Sequence, residues 1–209
     1  MLATGGEMNI PSEVKAILTW LKQEGLEARI MGGAARCLAH GAPVKDWDIV
    51  ILRGDLDHGT AFELAGEVCR TFHRMFDNST VAVTQAYDSA STDFDDRWLA
   101  LAQLEFHTHD VSVDILVAQC HTWKEVIDGF DSNVNQCMVN DALTHAFYYY
   151  LPRMLPDKLT FLKPITVERL LRLVDIAAEL GLKCEGKPEI SDLDTLPKRE
   201  PNPQEDIAW

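Results

Sequence analysis

The sequence predicts an α+β fold in which a mixed, mostly antiparallel sheet is flanked by helices and followed by a short helical segment. Apolar residues recur at helical spacing over residues 11–25, 60–76 and 166–182, which predicts amphipathic helices. Short apolar or alternating runs predict five strands, over residues 28–31, 46–52, 79–87, 98–107 and 110–117. The order of helices and strands up to about residue 120 is therefore mixed.

Beyond residue 120 the pattern becomes helical. We expect helices over 122–129, 134–150 and 166–182, separated by a proline-broken link. The residues after 183 hold several prolines and acids and few large apolar side chains, which is typical of a poorly packed tail. The predicted division is a head over 1–120, a helical neck-like segment over 121–183 and an acidic, proline-containing tail over 184–209.

Charge and cysteine content restrict the class of protein. The 33 acidic and 19 basic residues give a net charge of -14, which disfavours a general nucleic-acid coat or a membrane-surface binder, so any RNA must bind at a local basic patch. Five widely spaced cysteines without a CxxC pair match neither a disulfide framework nor a zinc site. We expect a soluble, cytoplasmic protein, since no apolar stretch is long enough for a bilayer span. The sequence does not indicate an oligomeric state.

Two acids on one predicted strand are the first candidates for chemistry. In residues 46–52 the side chains of Asp46 and Asp48 share one face of the strand, because side chains alternate along a strand. Their Cα atoms should be about 6 to 7 Å apart, since a strand rises roughly 3.3 Å per residue. Two carboxylates at this spacing can share hard divalent ions such as Mg²⁺ or Mn²⁺.

A glycine pair precedes these acids. Gly32 and Gly33 stand between a predicted strand and a predicted helix, where backbone N–H groups can approach phosphate oxygens at the helix N-terminus. Arg36, one turn later, is a further candidate phosphate ligand. Together with the two acids, this order of motifs predicts a site for a nucleoside triphosphate and metal ions.

A third carboxylate is expected on a neighbouring strand. Asp114 is the best candidate, because it interrupts the apolar run VSVDILV, where an acid is costly unless a partner such as a metal ion compensates it. Asp110 and Glu105 are the alternatives.

The segments GGAAR and KDWDIVI resemble the head-domain signature of the class II CCA-adding enzyme and bacterial poly(A) polymerase family, within the polymerase-β-like nucleotidyltransferase superfamily. The resemblance implies a nucleotidyltransferase head that uses Mg²⁺ or Mn²⁺ held by Asp46, Asp48 and Asp114. We also include Lys45, in the second segment, among the candidate nucleotide-binding residues.

Two later segments extend the resemblance. FDSNVNQ is similar to the family's Arg-Asp-Phe-Thr-Ile-Asn motif, which implies contacts of Asp131 and Asn135 with the ribose and triphosphate. The run ERLLRLVDIAAELGL resembles the start of the family's neck helix, with Arg169 and Arg172 at its arginine positions. Gly129 and Phe130 stand where the family has arginines, and the neck motif that selects C or A is not found.

The expected reaction is transfer of a nucleotidyl group from a nucleoside triphosphate to an acceptor hydroxyl, with an RNA or tRNA 3′ end as the main hypothesis. Five cations are available for the acceptor: Lys45, Lys158, Lys163, Arg169 and Arg172. Two alternatives remain open. One is a toxin- or antitoxin-type nucleotidyltransferase that modifies a protein or tRNA, and the other is a catalytically silent nucleotide-binding module.

Overall fold

A five-stranded sheet forms the centre of the molecule. The computed structural model describes residues 10–76, 79–84, 97–141, 146–149 and 156–190. The strands of the sheet are β1 (Ala28–Ile30), β2 (Asp46–Leu52), β3 (Ser79–Thr84), β4 (Trp98–Phe106) and β5 (Val111–Ala118). Their order is β1-β2-β5-β4-β3, with β2 and β5 parallel and the other neighbouring pairs antiparallel. The predicted mixed, mostly antiparallel sheet is confirmed.

Five helices accompany the described strands: α1 (Ser12–Gln23), α2 (Gly32–His40), α3 (His58–Met75), α4 (Trp123–Asp128) and α5 (Val167–Glu179). The start of α3 is fixed by Asp57, whose side chain accepts a hydrogen bond from the backbone N–H of Thr60 at 2.8 Å. The pattern of residues 11–25 also predicts Ser12 as the cap of α1, and this is wrong: Pro11 is the N-cap, and the hydroxyl of Ser12 donates to Glu13.

The apolar face of the sheet makes the main core. Trp47, Ile49 and Ile51 alternate with the acids of β2 and are at most 5% exposed. They belong to one buried cluster with Phe72 of α3 and Ile17 of α1. Because this face is committed to packing, the acids of β2 must project from the opposite face.

The opposite face is part polar and part apolar. Val50 of β2 and Leu116 of β5 form a second buried cluster with Ile127 of α4 and Met138. This cluster holds α4 against one end of the sheet face and leaves the other end to the acids.

The segment 134–150 differs from the prediction. A helix was expected there, but the structure has a short 3-10 helix, Asn133–Asn135, followed by strands β6 (Cys137–Asp141) and β7 (Ala146–Tyr149), which pair antiparallel. The run of aromatic residues at 147–149 favours a strand, and β6 joins the molecule through a bridge between Met138 and Met31. Residue 150 and residues 142–145 lie outside the described residues.

Two further short strands, β8 (Lys158–Thr160) and β9 (Lys183–Glu185), pair in parallel and were not predicted. The division at residues 120 and 183 remains a prediction, although α4 packs with the sheet in the second cluster. Most of the predicted tail lies outside the described residues. Among the helices that the structure describes, none is long and apolar enough to cross a membrane.

Candidate active site

Asp48 and Asp114 are direct neighbours on the sheet. The parallel strands β2 and β5 are in register with Asp48 opposite Asp114. On the other side of Asp114, β4 places Gln103, whose Nε2 donates to Asp114 Oδ1 at 3.2 Å. This amide restrains one oxygen of Asp114.

The glycine turn lies against Asp48. The backbone N–H of Ala34, in the first turn of α2, donates to Asp48 Oδ2 at 3.1 Å. A Cβ at Gly33 would lie 3.1 Å from the same oxygen, which is tighter than most real contacts, whereas Gly32 has a φ of +57°, a conformation that favours glycine. The glycine pair therefore allows the helix N-terminus to approach the carboxylate closely.

The acids carry an electrostatic cost. Burial, with the neighbouring charges of Asp114 and Asp46, raises the pKa of Asp48 to about 6 against the opposing hydrogen bond from Ala34 and the charge of Arg36. Burial and the charge of Asp46 also raise the pKa of the Asp114 carboxyl. A cation bound between these groups would relieve both effects.

Oxygen-only donors on one sheet face fit a hard divalent ion such as Mg²⁺. Asp48 and Asp114 supply carboxylates side by side, and Asp46 lies two residues before Asp48 on the same strand face, exposed to solvent. Within the described part of the chain, no group of three or more His, Cys, Asp and Glu side chains is arranged as a ready metal cage. The pair Asp48 and Asp114 is the part of the predicted acid cluster that the structure brings together.

A hydrogen-bonded chain of side chains lines the same cleft as the acids. The guanidinium of Arg36, buried in α2, donates to Asn135 Oδ1. Asn135 Nδ2 donates to Asp131 Oδ1 at 3.1 Å, and Arg169 Nε of α5 donates to Asp131 Oδ2 at 2.5 Å. The chain connects four residues predicted as nucleotide-binding from α2 to α5: Arg36, Asn135, Asp131 and Arg169.

Burial alone would raise the pKa of Asp131, but the bond and charge of Arg169 and the bonds from Asn135 and Ser132 lower it below its usual value. Asp131 is therefore a fixed anion that orients Arg169. Asn133 holds the same turn from its other side, accepting from the N–H of Thr160 at 2.8 Å.

The acids and the hydrogen-bonded chain line one cleft of about 670 Å³. Asp48 and Asp114 line it together with Gly32, Gly33 and the hydrogen-bonded chain. Its cationic side chains come from three parts of the molecule: Arg36, Arg97, Lys163, Arg169 and Arg172. The cleft is therefore lined both by the acids of the sheet and by these five cations.

Some predicted residues are not among those that line the cleft. Lys45 and Asp46 are both exposed and are outside its described lining. Of the alternatives to Asp114, Asp110 lies in the β4–β5 turn with a φ of +51°, and Glu105 accepts a hydrogen bond from the Thr80 hydroxyl at 3.1 Å.

Two residues of the site were missed from the sequence: Arg97, which lines the cleft, and Gln103, which donates to Asp114. Gln103 stands in the alternating strand β4, and Arg97 ends a run rich in Asp and Ser that read as a loop. A polar residue in an otherwise apolar strand beside a candidate acid was the available signal for Gln103. Arg97 gave no comparable signal.

The fold has known counterparts among solved structures. A tRNA nucleotidyltransferase complexed with a primer tRNA and an incoming ATP analogue matches with a TM-score of 0.52 and 23% identity, over 81% of this chain and 46% of that chain. The chain has a polymerase-β-like nucleotidyltransferase fold. The Thermotoga maritima CCA-adding enzyme complexed with tRNA matches this fold with a TM-score of 0.59 and 16% identity, over 87% of this chain and 41% of that chain.

A tRNA-processing enzyme with CTP also matches, with a TM-score of 0.52 and 25% identity over 81% of this chain and 43% of that chain. The chain thus spans less than half the length of these nucleotidyltransferase structures. No family model matches the sequence. No curated protein matches it either.

Proposed function

We propose that this protein is a metal-dependent nucleotidyltransferase that transfers a nucleotidyl group from a nucleoside triphosphate to an acceptor hydroxyl. The observation that carries the proposal is the pairing of Asp48 with Asp114 on parallel strands, directly beside the Gly32–Gly33 turn and in a cleft that arginines also line. Anionic phosphates, a cation and two carboxylates can all be accommodated in that arrangement.

Asp48 and Asp114 would hold the divalent ion or ions, Mg²⁺ or Mn²⁺, with Asp46 adding a ligand from the mouth of the site. Bound there, such ions supply charge neutralisation to an attacking oxygen and to a departing pyrophosphate. The raised pKa values of Asp48 and Asp114 support this assignment, because a bound cation compensates acids that burial and mutual repulsion destabilise. Gln103 fixes the orientation of one Asp114 oxygen.

The cations that line the cleft would bind the nucleotide. Arg36 and Arg169 are held in place by Asn135 and Asp131, so their guanidinium groups are oriented before any ligand enters. Arginine suits phosphate because its planar fork of donors can make two parallel hydrogen bonds. Arg172 and Lys163 add positive charge in the same cleft.

The acceptor in this proposal is an RNA 3′ end, with tRNA as the first choice and the cytosol as its place of action. Matching structures that were solved with tRNA support this choice. The net charge of -14 requires that RNA meet a local basic surface, and in this proposal the cations around the cleft would form it.

The acceptor can be identified with α-labelled nucleotides. Purified protein, Mg²⁺ and each of the four labelled triphosphates are incubated with total RNA, purified tRNA and a cell-protein extract, beside the Asp46→Ala/Asp48→Ala variant. Label in tRNA that depends on both acids supports the proposal. Label in protein indicates the toxin- or antitoxin-type activity, and nucleotide binding without label in either acceptor leaves the silent nucleotide-binding module.

A further inference from the structure

Arg97 enters the cleft from the start of β4 and is anchored at the end of α4. Its Nη1 donates to the carbonyl oxygen of Val126 and its Nη2 to that of Gly129, both at 2.6 Å. These carbonyls lie at the C-terminal end of a helix, where a cation is favoured. Two short bonds to fixed backbone atoms hold the guanidinium in one orientation.

The guanidinium occupies the space that a side chain at position 129 would need. A Cβ built on Gly129 would overlap Nη1 and the central carbon of the Arg97 guanidinium. The backbone of Gly129 has a φ of -82°, which any residue adopts, so its conformation does not demand glycine. Glycine fits at position 129 because the Arg97 guanidinium fills the space where a Cβ atom would lie.

Position 129 is close to the residues that we propose bind the nucleotide. Gly129 is two residues before Asp131, and Arg97 lines the same cleft as Asp48, Arg36 and Asp131. Resting on the proposed function, we propose that Arg97 is a phosphate-binding residue for the nucleoside triphosphate. Its guanidinium extends from the start of β4 into the space that a side chain at position 129 would occupy. A guanidinium held in this way reaches phosphate with little loss of side-chain freedom.

Inorganic tripolyphosphate, ATP and adenosine, in the presence of Mg²⁺, are suitable probes for this role. Their binding is compared by titration calorimetry in the full chain and in Arg97→Ala, Arg97→Lys and Gly129→Ala. Arg74→Ala on α3, an exposed residue of the opposite face, is the matched loss of one arginine. We expect Arg97→Ala to weaken tripolyphosphate and ATP about tenfold to a hundredfold, with adenosine unchanged. Arg97→Lys should fall between, because it keeps the charge and loses the fork.

Gly129→Ala should behave like Arg97→Ala, because the added methyl group displaces the guanidinium. In the double variant Arg97→Ala/Gly129→Ala the second change should cost nothing more, since the space is then empty. Equal tripolyphosphate binding by the native chain and by Arg97→Ala would overturn the inference, as would additive losses in the double variant. If the native chain binds neither tripolyphosphate nor ATP, the proposed function itself fails. Parallel loss of adenosine binding would reveal a structural role instead.

Discussion

Asp48 and Asp114 stand opposite each other on parallel strands, and burial raises the pKa of both carboxyl groups. The sheet thus brings together two acids that destabilise each other until a cation is present. Their cost to the folded protein and their affinity for metal are two consequences of one arrangement, and each can be measured.

Asp48→Asn should stabilise the metal-free protein at neutral pH. The pKa of Asp48 rises from 3.8 to about 6 on folding, so ionisation of this carboxyl at pH 7 lowers the unfolding free energy by about 3 kcal/mol. The amide keeps an acceptor for the N–H of Ala34. Urea unfolding in EDTA should show this gain above about pH 6 and lose it near pH 4, where folded Asp48 is already protonated. Asp175→Asn on the exposed face of α5 is the control, and an equal gain there would contradict the assignment.

Divalent-ion affinity should depend on pH through the same group. A metal ligand must be deprotonated, so protons compete with Mn²⁺ once the pH falls below the pKa of Asp48, about 6. Titrations followed by electron paramagnetic resonance should give a nearly constant dissociation constant above pH 7. Below pH 6 that constant should rise by up to about tenfold per pH unit. An affinity that stays level from pH 7 to pH 5 would exclude Asp48 as a ligand.

The two glycines of the turn should respond differently to alanine. At Gly33 the new Cβ would crowd Asp48 Oδ2, so we expect weaker Mn²⁺ and nucleotide binding with stability almost unchanged, since alanine favours the helix. At Gly32 the φ of +57° makes alanine strained, and we expect a loss of about 1 kcal/mol in unfolding free energy. Thermal unfolding and Mn²⁺ titration of both variants separate the effects. The reverse pattern would contradict the described contact.

Asp131→Asn should loosen α5 and weaken the nucleotide site together. It removes the charge-assisted bond from Arg169, which we expect to cost about 1 to 3 kcal/mol of unfolding free energy. The pKa of Asp131 is lowered on folding, so this contribution is complete above about pH 4 and disappears as the pH falls through the lowered value. A double-mutant cycle with Arg169→Gln measures the coupling. Arg172→Gln, further along α5, should show none with Asp131.

Local sequence patterns were sufficient to predict the part of the site that lies within residues 32–48. The period of two in β2 put Asp46 and Asp48 on one face, and the glycine pair predicted the start of α2. Asp114 was found because an acid inside an apolar strand needs a compensating partner. Its position opposite Asp48 is a matter of sheet register, which one sequence does not specify.

The errors and omissions have the same physical origin. Residues 137–149 have enough apolar content for either a helix or a hairpin, and pairing of β6 with β7 decided between them. Arg97 reaches the cleft through contacts with backbone atoms about thirty residues away. No spacing in the sequence encodes such a contact.

Pyrophosphate release provides the most direct test of the shared-metal site. The native chain, Asp48→Asn, Asp114→Asn and the control Asp175→Asn are incubated with Mg²⁺, tRNA and triphosphates labelled at the γ-phosphate. We expect labelled pyrophosphate, equal in amount to the nucleotide transferred, from the native and control proteins. The rate should be lower by about a hundredfold or more in the two acid variants, since metal ligation stabilises the transition state by several kcal/mol. Native rates in Asp48→Asn and Asp114→Asn would contradict a metal site shared by these two acids.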